Sequence, residues 1–177
     1  MNKIKLTPMP KFKGKIIAAR IPVDKNTFRP LQRSVFSRAP YYSYDILNST
    51  RGPMKLIVHK PDAKRGTITI KEKEHSHTVA GIVQFDIITR DTIKGERTAL
   101  DFYNLKVQPE YLQEGLFQQM YAEMEQIARE ARASVIQLQV NSENTVAVTI
   151  YKKYGFKVVR VPDLHGLTVY IMEKTLK

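Results

Sequence analysis

Hydrophobic and polar positions alternate, or form short apolar runs, through the middle of the chain. The segments MKLIVHK at 54–60, TITIKEK at 67–73 and VAGIVQFDIIT at 79–89 have the pattern of strands, and ALDFYNLKV at 99–107 adds a fourth strand that Pro109 ends. An earlier apolar run, KIIAARI at 15–21, stops at Pro22 and predicts a further strand. Polar connections such as RDTIKGER separate these segments, so they predict hairpins.

The spacing of apolar residues changes to three and four in other parts of the chain. Residues 24–38 have it and predict a helix, and a longer stripe predicts an amphipathic helix after Pro109, with its apolar side made by Leu112, Leu116, Met120, Met124, Ile127 and Ala131. A strand at 134–140, a short helix at 144–154 and a final hairpin from 156 to 172 follow. The order of elements predicts one domain spanning 1–177, of the α/β (α+β) class, with a mixed and mostly antiparallel sheet.

Composition narrows the chemistry. The chain has 177 residues and no cysteine, which excludes disulfides, thiolate metal sites and a cysteine nucleophile. No window approaches the roughly 18 apolar residues of a membrane span, so a cytoplasmic protein without a membrane partner is expected. His75 and His77 have the spacing of a metal pair on one strand face, but no third ligand stands nearby and no metal is predicted.

The net charge of +12 is concentrated in the first third of the chain. Residues 1–65 carry 15 Lys and Arg against three Asp, whereas the rest carries 14 charges of each sign. This strongly basic part is interpreted as belonging to the same domain. It would attract an anionic substrate or a polyanion such as a nucleic acid, or it serves solubility alone.

Two segments carry candidate chemistry. In NTVAVTIYKKYGF, Asn144 is placed to cap a helix, Ala147 keeps one side of it shallow, and Gly155 supplies a left-handed stop before Phe156. Tyr151 lies two turns after Asn144. In VQPEYLQEGLF, a strand runs into the long helix without a usual N-cap residue, so amide groups at its start are free to bind an anion or water.

The spacing of Asn144, Ala147, Tyr151, Gly155 and Phe156 resembles the last coenzyme-A motif of the GNAT N-acetyltransferases, and the strand and helix before it are placed like the pyrophosphate-binding motif of that family. The resemblance covers roughly residues 79–172. It implies a GNAT-like central sheet of about seven strands flanked by helices, with the long helix after the fourth strand. It also implies acetyl-CoA as cosubstrate and N-acetylation of a primary amine.

Roles follow from the resemblance residue by residue. Backbone groups of the fourth strand would hold the acetyl carbonyl and pantetheine, amides at the helix start would take the pyrophosphate, and Tyr151 would protonate the leaving thiolate. Asn144 would contact the pantetheine. The implied cofactor-binding residues are Leu105, Lys106, Val107, Leu112, Gln113, Glu114, Gly115, Leu116, Phe117 and Asn144.

The helix-start segment departs from the family pattern at two of three positions. Leu112 replaces a polar or basic residue, Phe117 replaces a small one, and only Gly115 is kept. Glu114 adds a negative charge near the expected phosphates. Two interpretations stay open: a divergent enzyme, or a non-catalytic GNAT-like module that binds a nucleic acid or another protein.

Asp101 is the carboxylate nearest to the expected reaction centre, and it is the candidate general base, with a surface strand residue as the alternative. The acceptor is expected to be anionic, as a protein segment, an aminoacyl-tRNA or a metabolite would be. A homodimer is left open.

Overall fold

The computed structural model describes residues 41–46, 52–60, 62–74, 77–92, 95–164 and 166–176. All of them belong to one compact unit of the chain. The predicted strand at 15–21, the predicted helix at 24–38, His75 and most of the basic first third lie outside the described residues.

The described residues form nine strands and two helices. The strands are β1 (Tyr41–Ile46), β2 (Met54–His59), β3 (Arg65–Glu72), β4 (Val79–Thr92), β5 (Gly95–Val107), β6 (Val135–Asn141), β7 (Lys157–Arg160), β8 (Asp163–Leu164) and β9 (Leu167–Thr175). The helices are α1 (Leu116–Glu130), between β5 and β6, and α2 (Thr145–Lys153), between β6 and β7. A short 3-10 turn, Pro109–Tyr111, follows β5.

The strands form one sheet in the order β1-β2-β3-β4-β5-β6-β9-β7, with the two-residue β8 paired to β9. Only β5 and β6 run parallel, because α1 carries the chain from one end of the sheet to the other between them. The predicted mixed and mostly antiparallel sheet is confirmed. The count exceeds seven because β1 and β8 had no clear pattern of their own.

Strand β1 explains why the long helix follows the fifth described strand rather than the fourth. Its burial alternates, with Tyr42, Tyr44 and Ile46 facing the core and the residues between them exposed. The aromatic composition of YYSYDI hides this alternation in the sequence. The hairpin at 90–97 is also tighter than expected, because β4 extends to Thr92 and β5 starts at Gly95.

One face of the sheet is apolar and is covered by α1, which contacts β3, β4, β5 and β6. Leu116, Met120, Met124 and Ile127 of the predicted stripe are buried there, as expected for an amphipathic helix. Leu112 is not part of it: its side chain is 54% exposed and α1 begins four residues later. The 3-10 turn at Pro109 and the left-handed Gly115 (φ 71°) break the helical path before Leu116.

Candidate active site

Strands β5 and β6 separate at one end of the sheet. Their parallel pairing runs from Ala99 and Val135 to Phe102 and Leu138, although β5 continues to Val107 and β6 to Asn141. Beyond Phe102, no described strand pairs with the β6 side of β5. The backbone of Leu105, Lys106 and Val107 therefore lies at the mouth of a wedge, where its N–H and C=O groups can meet a ligand.

A β-bulge in β5 accompanies this separation. Tyr103 pairs with Gln84 and Lys106 pairs with Ile82, so two residues of β5 lie opposite Val83 alone. The bulge contains Asn104 in the left-handed region (φ 52°), and its side-chain amide donates a 2.6 Å hydrogen bond to Gln84 Oε1. Asparagine tolerates this conformation better than most residues. The bulge bends β5, which directs its last residues away from β6.

The start of α1 lies directly after the wedge. Gly115 is the N-cap residue and makes no side-chain cap, and the first helical hydrogen bond is donated by the Gln119 N–H to the Gly115 carbonyl, at 3.2 Å. In the described part of the chain, the amides of Leu116 and Phe117 have no backbone carbonyl partner. They stand at the positive end of the helix dipole, which is a favourable place for an anion.

The other predicted residues of this segment lie between the 3-10 turn and the helix. Leu112 and Gln113 are exposed, and Gln113 is left-handed (φ 78°) like Gly115. Glu114 donates its backbone N–H to the Tyr111 carbonyl at 3.4 Å. A side chain at position 115 would be strained by its φ, and its Cβ would lie 3.0 Å from Gln118 Oε1.

Phe117 replaces a small residue of the family pattern, which suggested that its side chain would crowd the loop. Its ring instead points away from the loop. Its ring packs edge-on against Tyr154 at 4.8 Å between centroids and lies 5.8 Å from Tyr121 and 6.1 Å from Tyr151. It belongs to an aromatic cluster that joins β5, α1, α2 and the start of β7, made by Phe102, Phe117, Tyr121, Tyr151, Tyr154 and Phe156. Edge-to-face packing of this kind adds stability beyond area burial.

Tyr151 has a buried ring and an accessible hydroxyl. The ring lies 5.9 Å from both Phe102 and Phe156, and burial raises the pKa of the phenol. Its oxygen has no hydrogen-bond partner among the described residues. Every fully buried side-chain oxygen or nitrogen in that part of the chain has a partner, so the Tyr151 oxygen is not fully buried. The Tyr151 hydroxyl therefore touches space that solvent can enter, and it stays protonated at neutral pH.

Asn144 acts as the N-cap of α2. Its Oδ1 accepts the Ala147 N–H at 3.1 Å, as the sequence predicts. The side chain is otherwise exposed, so its NH₂ group remains available to a ligand. Gly155 has φ 88° and ends the α2 segment in the expected left-handed conformation.

Asp101 and Tyr151 lie on opposite faces of the sheet. Phe102 points toward Tyr151 on the apolar face, and Asp101 precedes it in a regular strand, so its side chain points to the other face. Burial raises the pKa of Asp101 to about 6, with the Arg90 charge lowering it and the Asp86 charge raising it further. The two predicted catalytic residues thus flank the wedge from its two sides.

Sequence patterns did not indicate Asp86, which lies directly opposite Asp101 on β4. The signal that could have found it is the short hairpin: two residues join β4 to β5, and this fixes which residues lie opposite each other. Gln137 was missed as well. It lies beside Asp101 on β6, and this neighbour depends on the parallel register that α1 creates.

No group of three or more His, Asp or Glu side chains among the described residues is arranged to hold a metal ion, and His77 lies exposed near the start of β4. Neither helix of the described part is long and apolar enough to cross a membrane.

Comparison with solved structures finds the same fold in acetyltransferases. Arabidopsis thaliana NAA60 aligns with a TM-score of 0.55 in complex with a bisubstrate analogue and of 0.54 in complex with acetyl-CoA, at 19% identity over 64% of this chain and 77% of that protein. A GNAT-family acetyltransferase of Streptococcus pneumoniae aligns with a TM-score of 0.51, at 21% identity over 66% and 70% of the two chains.

The PaiA N-acetyltransferase of Thermoplasma acidophilum, in complex with coenzyme A, aligns with a TM-score of 0.50, at 24% identity over 64% of this chain and 62% of that one. No curated protein matches the sequence as a relative. The model of the acetyltransferase (GNAT) family matches residues 29–156, which is more than half of the chain. The protein therefore belongs to the GNAT acetyltransferase family.

Proposed function

We propose that this protein transfers an acetyl group from acetyl-CoA to a primary amine. The observation that carries the proposal is the wedge between β5 and β6, which opens beside the uncapped start of α1. An extended thioester arm needs backbone donors and acceptors along its length, and a pyrophosphate needs unpaired amides. Both kinds of group lie next to each other here. Acetyl-CoA or coenzyme A is bound in the NAA60 and PaiA structures.

The described residues fit this cosubstrate. Leu105, Lys106 and Val107 would offer backbone groups to the pantetheine and acetyl carbonyl, and the exposed NH₂ of Asn144 would add a donor. Within the segment 112–117, the amides of Leu112 and Glu114 already donate to backbone carbonyls, so the amides of Leu116 and Phe117 would face the pyrophosphate, with Gly115 allowing close approach. The inward packing of Phe117 supports this assignment, because its ring leaves the loop open.

The chemistry requires an amine nitrogen to form a bond to the acetyl carbonyl carbon while the carbon–sulfur bond breaks. The nitrogen must first be unprotonated, and the sulfur leaves as a thiolate that takes up a proton. Asp101 is proposed as the base that accepts a proton from the amine, and Tyr151 as the acid that supplies the sulfur. The nitrogen then loses its second proton, which replaces the one that Tyr151 gave.

The acceptor is proposed to be anionic overall, because the charge excess of residues 1–65 would steer such a substrate. A nucleic-acid-linked amine, such as an aminoacyl-tRNA, fits this class, and so do acidic proteins and metabolites. A cytoplasmic location and a homodimer stay predictions.

Isothermal titration with acetyl-CoA, followed by thiol release in the presence of primary amines, tests the proposal. Binding with a Kd of about 1 to 100 μM and amine-dependent thiol release are expected. Gly115→Val should weaken binding about tenfold or more, since a branched side chain is strained at φ 71° and covers the amides. Gly52→Val provides a matched control, because Gly52 is also left-handed (φ 109°) and has open space around its Cβ position.

The alternative is a non-catalytic module that binds a nucleic acid or a protein. The exposed Leu112 and the carboxylate of Glu114 beside the loop favour it. Absence of acetyl-CoA binding, together with tight and salt-sensitive binding of RNA or DNA, would replace the enzyme by this module.

A further inference from the structure

A row of polar side chains crosses the sheet on the face opposite α1. Residues that lie opposite each other on adjacent strands point to the same face and stand roughly 5 Å apart. The pairings of six strands therefore place side by side Arg65, Asp86, Asp101, Gln137, Glu173 and Lys157. We call these six residues the polar row. On the apolar face, the adjacent Phe102 and Leu138 form the last pair before β5 and β6 separate.

The outer members of the polar row are engaged in ion pairs or lie at its edge. Arg65 pairs with Asp62 at 3.1 Å, and Glu173 pairs with Arg97 at 2.6 Å. The centre is different, because Asp86 and Asp101 are direct cross-strand neighbours of like charge. Such a pair is destabilising unless a proton or a cation lies between the two carboxyl groups.

Gln137 provides an independent sign of a ligand. It lies next to Asp101 and on the same face, and its side chain is only 9% exposed. Its amide forms no hydrogen bond with a described residue. Every fully enclosed side-chain oxygen or nitrogen in that part of the chain has a partner, so the Gln137 amide is not fully enclosed. The amide therefore faces a space that solvent or a ligand can enter. A nearly buried amide without a partner is costly unless something fills that space.

We propose that Asp86, Asp101 and Gln137 form the site for the protonated amine of the acceptor, an inference that rests on the proposed function. A primary ammonium group has three N–H donors. The site offers three acceptors on one face: the carboxylates of Asp86 and Asp101 and the side-chain carbonyl of Gln137. This match selects primary amines over methylated ones. Asp86 and Gln137 are positioning residues, and Asp101 is the residue that accepts a proton.

The proton transfer is balanced within this site. One N–H bond of the ammonium group breaks and one O–H bond forms on the Asp101 carboxylate, leaving a neutral amine and a neutral carboxyl group. Asp101 lies one residue before Phe102, where β5 and β6 separate, so the neutral amine would form beside the wedge. The raised pKa of Asp101, about 6, suits a group that must take this proton.

Other charged groups on this face limit how far that pKa can rise. Arg90 lies on β4, four residues after Asp86 and on the same face, where it pairs with Arg97 of β5. Its positive charge lowers the pKa of Asp101. Tyr103 follows on β5 and donates to Asp86, which raises the pKa of the Tyr103 phenol further, after burial and the Asp86 charge. Asp86→Asn should therefore lower the pKa of Asp101, because a like charge is removed.

The proposal is tested by NMR on the full chain with ¹³C-labelled aspartate carboxyls and ¹⁵N-labelled glutamine side chains. The probes are n-butylammonium chloride, which has three N–H donors, and n-butyltrimethylammonium chloride, which has none. We expect butylammonium to shift the signals of Asp101 and Gln137 in a saturable way, and the trimethyl cation to leave them unchanged. Equal responses to both cations would mean charge attraction without a built site and would overturn the proposal.

Variants identify the positioning residues. Asp86→Asn and Gln137→Met should each weaken butylammonium binding about tenfold, the loss of one charge-assisted hydrogen bond. Asp91→Asn is the matched control, because Asp91 is exposed on the same strand and near its end, and it should bind as the unchanged protein does. Unchanged affinity in Asp86→Asn and Gln137→Met, with dispersed amide spectra showing that they fold, would contradict the proposal.

Titration of acetyl-CoA into the same samples separates this inference from the proposed function. Selective butylammonium binding without acetyl-CoA binding would support the amine site and contradict the proposed acetyl transfer. Acetyl-CoA binding and thiol release, with no selective response of Asp101 or Gln137 to butylammonium, would support acetyl transfer and contradict the amine site.

Discussion

Tyr151 combines two properties that a packing tyrosine rarely needs together, a buried ring and a hydroxyl open to solvent. We expect Tyr151→Phe to keep the fold, because the ring contacts with Phe102 and Phe156 are retained. Its kcat with an accepted amine should fall about 10²-fold, the usual contribution of a general acid. Steady-state kinetics measure this.

Tyr154→Phe is the control for Tyr151→Phe. Tyr154 belongs to the same aromatic cluster and also loses a hydroxyl, but its side chain interacts with Gln118 of α1. Its kcat should change by less than about threefold. Equal effects of the two substitutions would show that the Tyr151 hydroxyl is not the acid.

The ionised carboxylate of Asp101, the form that can act as a base, should lower the stability of the folded protein. Its pKa is 3.8 in an unfolded chain and about 6 in the folded protein. Below pH 3.8 the carboxyl group is protonated in both states. As the pH rises from 3.8 through 6, the unfolded chain loses the proton more readily, so the folded state loses stability. Asp101→Asn should therefore raise Tm at pH 8 and change it little at pH 3.5, while thiol release is lost. Thermal unfolding followed by circular dichroism at both pH values checks this. A fall in Tm at pH 8 would contradict the sign of the shift.

At the scale of elements, α2 was predicted best because its start and stop are both local. Asn144 caps the first turn through the Ala147 amide and Gly155 adopts the left-handed stop, and both signals are properties of single residues at fixed spacing. The start of α1 was predicted four residues too early. Periodicity does not reveal a 3-10 turn, and Leu112 has the spacing of the apolar stripe although it lies in an extended conformation before Gly115.

The positions of Asp86 and Gln137 required more than local patterns. Alternation in β4 and β5 predicts which residues share a face, but the neighbour of Asp101 depends on the hairpin between Thr92 and Gly95 and on the parallel pairing with β6. Residues 86, 101 and 137 become neighbours only through the register of β4 with β5 and of β5 with β6. A single sequence therefore identified the base candidate and missed both of its neighbours.

The cap of α2 should contribute measurably to stability. Asn144→Ala removes the acceptor of the Ala147 N–H and should lower the free energy of unfolding by about 1 kcal/mol. Asn144→Ser keeps an acceptor and should recover most of it. If acetyl-CoA affinity falls in both variants by the same factor, the Asn144 NH₂ contacts the ligand as proposed. Urea unfolding and titration calorimetry measure the two effects separately.

At the scale of the whole molecule, charge is divided between an acidic centre in the polar row and a basic first third of the sequence. An acceptor with a primary amine and a carboxylate would be steered by the net positive charge, while its amine binds the acidic centre. We expect kcat/KM for 6-aminohexanoate to exceed that for its neutral amide at low salt, and the advantage to shrink by about 150 mM salt, where the Debye length is about 8 Å. Equal and salt-independent values for the two amines would contradict the electrostatic part of the acceptor proposal.

Strand β1, the first in the order of the described sheet, is tied to the helix that begins at the candidate active site. Tyr42 and Tyr44 of β1 donate hydrogen bonds of 2.7 and 2.6 Å to the two carboxylate oxygens of Glu123, a buried residue on α1. These contacts join segments about 80 residues apart in the chain, so they hold tertiary rather than local structure. A hydrogen bond to a charged group contributes about 1.5 to 3 kcal/mol.

Replacing both tyrosines by phenylalanine should therefore destabilise the protein by about 2 to 4 kcal/mol, less than the sum of two independent bonds because they share one carboxylate. Tyr41→Phe is the matched control: Tyr41 lies on the same strand but is 56% exposed on the other face, so it should change stability by no more than about 0.5 kcal/mol. Urea unfolding with a constant m-value gives both numbers. A double variant as stable as Tyr41→Phe would mean that other packing of β1, rather than the Glu123 contacts, holds this strand in place.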